Sequence, residues 1–216
     1  MSPKHHQQFP NVSAAVAAFQ AGRPVLLLDD DDREDEADIV AAAENLSLQT
    51  MAMMIRDCSG IVCLCLDEAT VDALQLAPMV PNNQARHGTG FTVTIEAAEG
   101  VSTGVSAQDR ITTIEAALRS TAEQRHIVSP GHVFPLRARD GGVLTRRGHT
   151  EGSVDLARLA GLRPAAVLCE LMNPDGSMAR GEQVAVYARQ YNLPVLTIAE
   201  LAHCREAMLE REAVPA

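Results

Sequence analysis

The chain has 216 residues, 46% hydrophobic and 21% charged, a length and balance that fit one domain or two small ones and exclude disorder, collagen and low-complexity fibre. Aromatic residues make up 3%, with no Trp, and the formal net charge is −10, which argues against nucleic acid and anionic membrane surfaces as partners. The acidity is local: residues 29–38 hold eight acids and one Arg, a charge of −7, leaving −3 for the other 206 residues.

The N-terminus lacks the apolar stretch of a secretory signal, and no run approaches the ~18 apolar residues of a membrane span. Five Cys with no CxxC pair fit free thiols in a reducing cytoplasm. A helix is predicted over 13–21, capped by Ser13 and stopped by Gly22, then a buried strand over 24–28. Residues 39–43 read as a second strand or a helix start. Residues 47–57 have helical apolar spacing. Residues 60–66 form a strand with Cys63 and Cys65 on one face, and 67–76 a short helix capped by Asp67. A Pro- and Gly-rich loop over 77–90 precedes a strand over 91–95. Thr112 with Glu115 reads as a capping box for a helix reaching about 124. Residues 129–135 and 140–142 look like loops around short strands, and Thr150 or Ser153 caps a helix ending at Gly161. A strand over 165–172, a helix over 182–191, a strand over 195–198 and a final helix opened by Thr197 and Glu200 complete the chain. Helices and strands alternate without a linker or repeat, so one mixed α/β domain is expected; the strand order is not legible.

Five segments have the composition of chemistry. The acidic run follows a buried strand, where α/β sheets bind ligands; it is either a solvated acidic face or a site for a hard divalent cation. LTRRGHTEGS at 144–153 joins two Arg, a Gly, His149 and Thr150 at a helix start, either a phosphate site or an ordinary cap with surface arginines. His132, framed by Gly and Pro, is a proton carrier or a structural hydrogen-bonder. Glu170 interrupts an apolar strand, as a perturbed acid or a strand-end group facing water. HGTGFT at 87–92 and GVSTGVS at 100–106 offer backbone donors and hydroxyls but fit neither nucleotide fingerprint. Together they suggest a Mg²⁺-dependent enzyme acting on a small sugar phosphate.

The motifs REDEAD at 33–38, GTGFTVTIEA at 88–97, TGVSAQDRIT at 103–112, PGHVFPLR at 130–137, RRGHTE at 146–151 and VLCE at 167–170 stand in an order that resembles the 3,4-dihydroxy-2-butanone 4-phosphate synthases of riboflavin biosynthesis. The resemblance implies conversion of D-ribulose 5-phosphate to L-3,4-dihydroxy-2-butanone 4-phosphate and formate. The alternative is another Mg²⁺-dependent sugar-phosphate isomerase or phosphatase on the same scaffold. It also implies a single domain over 12–207, between a flexible start (1–11) and a tail (208–216), with a mixed sheet layered between helices. Two Mg²⁺ ions per site, with Mn²⁺ as a substitute, and a homodimer with active sites at the interface are implied as well. By motif, Glu34 and His149 hold the metals, and Arg33 and Asp38 contact the sugar, with Asp38 an early proton acceptor. Arg146, Gly148 and Thr150 grip the phosphate, with Thr103 a further contact; Glu170 and His132 are essential to turnover, and Cys63 lies near substrate. Glu36 belongs to the acidic motif. Ala37 replaces a frequent Gly, and Arg147 a frequent small residue, adding a cation beside the phosphate grip.

Overall fold

The structure, a computed structural model, describes residues 5–30 and 32–213, so the outer ends of the expected terminal segments, 1–4 and 214–216, lie outside the described residues. Among the described residues, β1 (Val25–Leu28), β2 (Ala37–Ala42), β3 (Cys63–Leu66), β4 (Ile95–Ala97), β5 (Ile127–Arg137), β6 (Ala165–Glu170) and β7 (Val195–Thr197) form one mixed sheet, ordered β4-β5-β3-β6-β2-β1-β7. The β1–β7 and β3–β5 pairs are parallel and the others antiparallel. The helices are α1 (Pro10–Gln20), α2 (Leu48–Asp57), α3 (Glu68–Ala73), α4 (Ala107–Arg119), α5 (His149–Leu159), α6 (Glu182–Tyr191) and α7 (Ile198–Ala213).

Strand alternation divides the core in two. Leu26, Ile39, Leu64, Val167 and Cys169 point to one face, where Met51 and Met54 of α2, Val71 of α3, Ile114 of α4 and Val184 of α6 cover them. Leu27, Val40, Cys63, Cys65 and Leu168 point to the other, against Val16 and Phe19 of α1, Leu156 of α5 and Leu201 of α7. This is the mixed sheet between helices that the resemblance implies. All five Cys are buried free thiols. No helix of the described residues is long and apolar enough to cross a membrane.

Local signals set several boundaries. Ser47 accepts from the Thr50 amide to open α2, and Asp67 from the Thr70 amide to open α3. Thr197 and Glu200 exchange amide bonds as a reciprocal box at the head of α7. Elsewhere the structure differs from expectation. Helix α1 starts at Pro10, whose fixed φ suits the first turn, and Ser13 donates to the His6 carbonyl instead of capping. Helix α4 is opened by Ser106, which accepts from the Asp109 amide; Thr112 sits one turn inside and donates to the Gln108 carbonyl. Residues 129–135 lie within β5, which pairs with β3 over 134–137 and with β4 at 127, 128 and 133; the register shift between Ile95 and Glu96 leaves 129–132 bulged between those pairs. Helix α5 has Gly148 at its cap position, and Thr150 and Ser153 lie within it. The strand expected over 91–95 is reduced to bridges at Phe91 and Thr92, with regular pairing only from Ile95. Helix α7 runs through most of the expected tail.

Candidate active site

The β2–β6 register sets Asp38 opposite Glu170, and the β3–β6 register sets Cys63 opposite Leu168. With a side-chain period of two, Asp38, Cys63, Leu136, Leu168 and Glu170 share the sheet face on which α5 packs. The N-terminus of α5 brings His149 and Thr150 to this face; the β1–β2 connection adds Arg33, Glu34 and Glu36; the segment before β4 adds Thr89 and Phe91. With Arg146 these residues line a cavity of about 180 Å³ at the strand ends.

Asp29, fully buried at its side chain, organises the acidic segment. One oxygen accepts Arg33 Nη1 at 2.6 Å and the Glu34 amide at 3.2 Å, and the other accepts the Glu36 amide at 3.0 Å. Asp35 takes the left-handed turn between them, at φ 54°. Arg180 braces this turn from the β6–α6 connection, with Nη2 3.3 Å from the Glu34 carbonyl and Nε 3.4 Å from Asp35. Ala37, buried at the head of β2, has no positive φ, so the added methyl is accommodated.

The strand-end acids crowd one another. Burial, then the neighbouring Glu170, pushes the Asp38 carboxyl well above its usual range. Glu36 is raised by burial and by Glu34. Glu170 accepts the Ser59 hydroxyl at 2.5 Å. His149 Nδ1 lies 3.9 Å from Glu34 Oε2 and 3.7 Å from Asp38 Oδ2. Burial lowers the His149 pKa to about 4, which keeps the imidazole neutral with a lone pair for a ligand. Asp38 Oδ1 and His149 Nε2 are buried without a hydrogen-bond partner. Ligand atoms of Asp29, Glu34 and His149 fall within 4.8 Å of one another. Neutral imidazole with facing carboxylates is the donor set of a divalent cation site. Asp29 already accepts three bonds, from Arg33 and two amides, whereas Glu34 accepts one side-chain bond, from the same Arg33 Nη1, so Glu34 and His149 are the better-placed ligands. Cys63, beside them, is a neutral thiol, its pKa raised by burial.

The opposite wall suits an anion. Thr150 stands in the first turn of α5, where amide groups lack intrahelical acceptors. Arg146 reaches the cavity while donating to Glu151 at 2.6 Å and Thr89 at 3.0 Å. Gly148 does not line the cavity; a Cβ there would collide with the Arg146 guanidinium, so this glycine makes room for the arginine.

Besides Gly148, three expected residues stand apart from this cavity. Arg147 is drawn outward by a bidentate pair with Asp30, at 2.7 and 3.1 Å, so its added cation is not in the lining. His132, half exposed on β5, has its Nδ1 2.6 Å from Glu96 Oε2. Thr103 belongs to the turn beside that pair, since a Cβ on Gly104 would strike both Glu96 and His132. Conversely, Thr89 and Phe91 line the cavity although the sequence reading named them only within the HGTGFT and GTGFTVTIEA motifs, with no role assigned. Ser59, the partner of Glu170, carried no signal.

A mixed sheet with clustered acids at its strand ends, facing an Arg and a helix N-terminus that carries a neutral His, defines an α/β protein whose cavity suits a cation and an anion side by side. Residues 13–204 match the family model described as 3,4-dihydroxy-2-butanone 4-phosphate synthase, and the chain belongs to this family. It is 91% identical over its full length to the Pseudomonas putida 3,4-dihydroxy-2-butanone 4-phosphate synthase, all of which is covered. A solved structure of such a synthase in complex with two magnesium ions is 40% identical, with a TM-score of 0.84 over 90% of this chain and 96% of that one. A two-domain synthase from A. baumannii is 45% identical, with a TM-score of 0.85, over 90% of this chain and 57% of the longer protein.

Proposed function

We propose that this chain is a Mg²⁺-dependent lyase that converts D-ribulose 5-phosphate to L-3,4-dihydroxy-2-butanone 4-phosphate and formate, a step of riboflavin biosynthesis. The observation that carries the reading is the convergence of Arg33, Glu34, Asp38, Cys63, Arg146, His149, Thr150 and Glu170 on one cavity in a chain of this family. Glu34 and His149 hold the metal, which the neutral imidazole and the unpartnered buried atoms fit. When bound, Mg²⁺ supplies Lewis-acid stabilisation of negative charge on the substrate oxygens.

The chain's own residues do the rest. Arg146, Thr150 and the first turn of α5 bind the phosphate and so orient the carbonyl end of the sugar toward the acids. Arg33, held by Asp29, contacts the sugar. Asp38, whose hold on a proton burial and the facing Glu170 strengthen, is suited to accepting the proton beside the carbonyl. Glu170, opposite it, handles a later proton transfer. We assign His132 and Thr103 to the site of a second copy: both stand outside their own chain's cavity, and His132 is half exposed. A homodimer with active sites at the interface, in the cytoplasm, completes the proposal.

Purified protein with Mg²⁺ and ribulose 5-phosphate releases formate, and EDTA abolishes the release. Formation of another pentose phosphate or of free phosphate without formate contradicts the proposal.

A further inference from the structure

Glu151 does not line the cavity, yet its side chain is only 1% exposed and both its oxygens are engaged. Oε2 accepts Arg146 Nη1 at 2.6 Å, and Oε1 accepts the Arg139 amide at 2.9 Å. A buried carboxylate is unfavourable unless paired. This one is paired with the guanidinium that reaches the cavity beside Thr150. The other side of that guanidinium is held by a different segment: Nε donates to the His87 carbonyl at 3.2 Å and Nη2 to Thr89 Oγ1 at 3.0 Å. Three of the five N–H groups of an arginine are thereby committed to the protein. The rotamer is set from two elements at once, and the other N–H groups are left for a ligand.

We infer that Glu151 is a positioning residue: its buried carboxylate, anchored on the Arg139 amide, fixes the Arg146 guanidinium to receive the substrate phosphate. The inference rests on the function proposed above. By charge alone, a carboxylate beside a phosphate site opposes the ligand. What it contributes is an arginine that loses its rotamer freedom before the phosphate arrives. Glu151 touches neither the cavity nor a reacting atom, so it acts through Arg146.

The test compares wild type with Glu151→Gln, Glu151→Ala, Arg146→Ala and the double Ala variant. It reads kcat, the KM for ribulose 5-phosphate, and the Kd of inorganic phosphate by calorimetry. In Glu151→Ala, KM and phosphate Kd rise together by about tenfold, the worth of one charge-assisted hydrogen bond, while kcat changes by less than about threefold. Glu151→Gln keeps an acceptor for one of the two contacts and shifts both constants less. Once Arg146 is gone, removing Glu151 weakens phosphate binding no further. Full additivity of the two Ala variants, or a Glu151→Ala protein that keeps the wild-type Kd, overturns the inference. If the Ala variant does not fold, Glu151→Gln decides, and wild-type KM and Kd there overturn it. Phosphate affinity does not depend on turnover, so wild-type protein without formate release would strike the functional reading and leave the Glu151–Arg146 coupling measurable.

Discussion

Glu34 and His149 come from a loop and a helix start far apart in sequence, and their ligand atoms stand 3.9 Å apart. Glu34→Gln keeps the size and removes the charge. It is expected to reduce Mg²⁺-dependent formate release at least about a hundredfold, with little change in melting temperature of the metal-free protein; activity near wild type would remove Glu34 from the cation site. His149 links the site to stability. Burial lowers its pKa from 6.5 to about 4. Between those values the unfolded chain binds a proton that the native chain does not. The neutral-His contribution is therefore complete above pH 6.5 and is lost as pH falls toward 4, by about 3 kcal/mol at full extent. Urea unfolding of the metal-free protein should show the stability gap between wild type and His149→Gln narrowing from pH 7 to pH 5. Parallel pH curves would contradict a depressed His149.

At the scale of elements, legibility followed how local the deciding interaction is. Asp67 and the Thr197–Glu200 pair were readable as caps because each bond closes within one turn. The same pattern misled at Thr112 and Glu115. Ser106 offers a cap six residues earlier, and the turn before it secures that choice: the Asp109 carboxylate accepts the Ser102 amide and hydroxyl and the Gly104 amide. Residues 129–135 read as loop because two prolines and a glycine withhold amide donors or weaken strands. They hold a place in β5 because β3 and β4 flank them. Gly131 lies against the Ile95 carbonyl and the Glu96 amide, with no room for a Cβ. Gly131→Ala should therefore destabilise the protein by about 2 kcal/mol or more, a fall of roughly 5 °C in Tm. An unchanged Tm would mean that β4 and β5 part without cost. The acidic segment was legible as a charge anomaly, but its shape was not: Asp29, at its start, is a scaffold for Arg33, Glu34 and Glu36.

For the molecule as a whole, the α/β class followed from alternating patterns, whereas the order β4-β5-β3-β6-β2-β1-β7 did not. Strand neighbours depend on which faces the helices cover, and a continuous apolar run such as β1 or β6 shows no face at all. The resemblance carried the site further than composition did, because it joined motifs that only the sheet brings together. It did not show that Arg147 turns away to Asp30, or that His132 pairs with Glu96 away from the cavity. The proposed assembly makes a specific forecast for those last residues. Glu34→Gln and His132→Asn proteins are each inactive, and a mixed dimer regains formate release, because one of its two sites has neither defect. No recovery in isolated heterodimers would return His132 to its own chain's site.

The most direct measurement is a crystal structure of the protein with ribulose 5-phosphate and a divalent cation that slows turnover. Cation density bound by Glu34 and His149 is expected, with the phosphate on Arg146 and Thr150 at the start of α5. A cation bound elsewhere, with Glu34 still paired only to Arg33 and the sugar outside the cavity, would contradict the proposal.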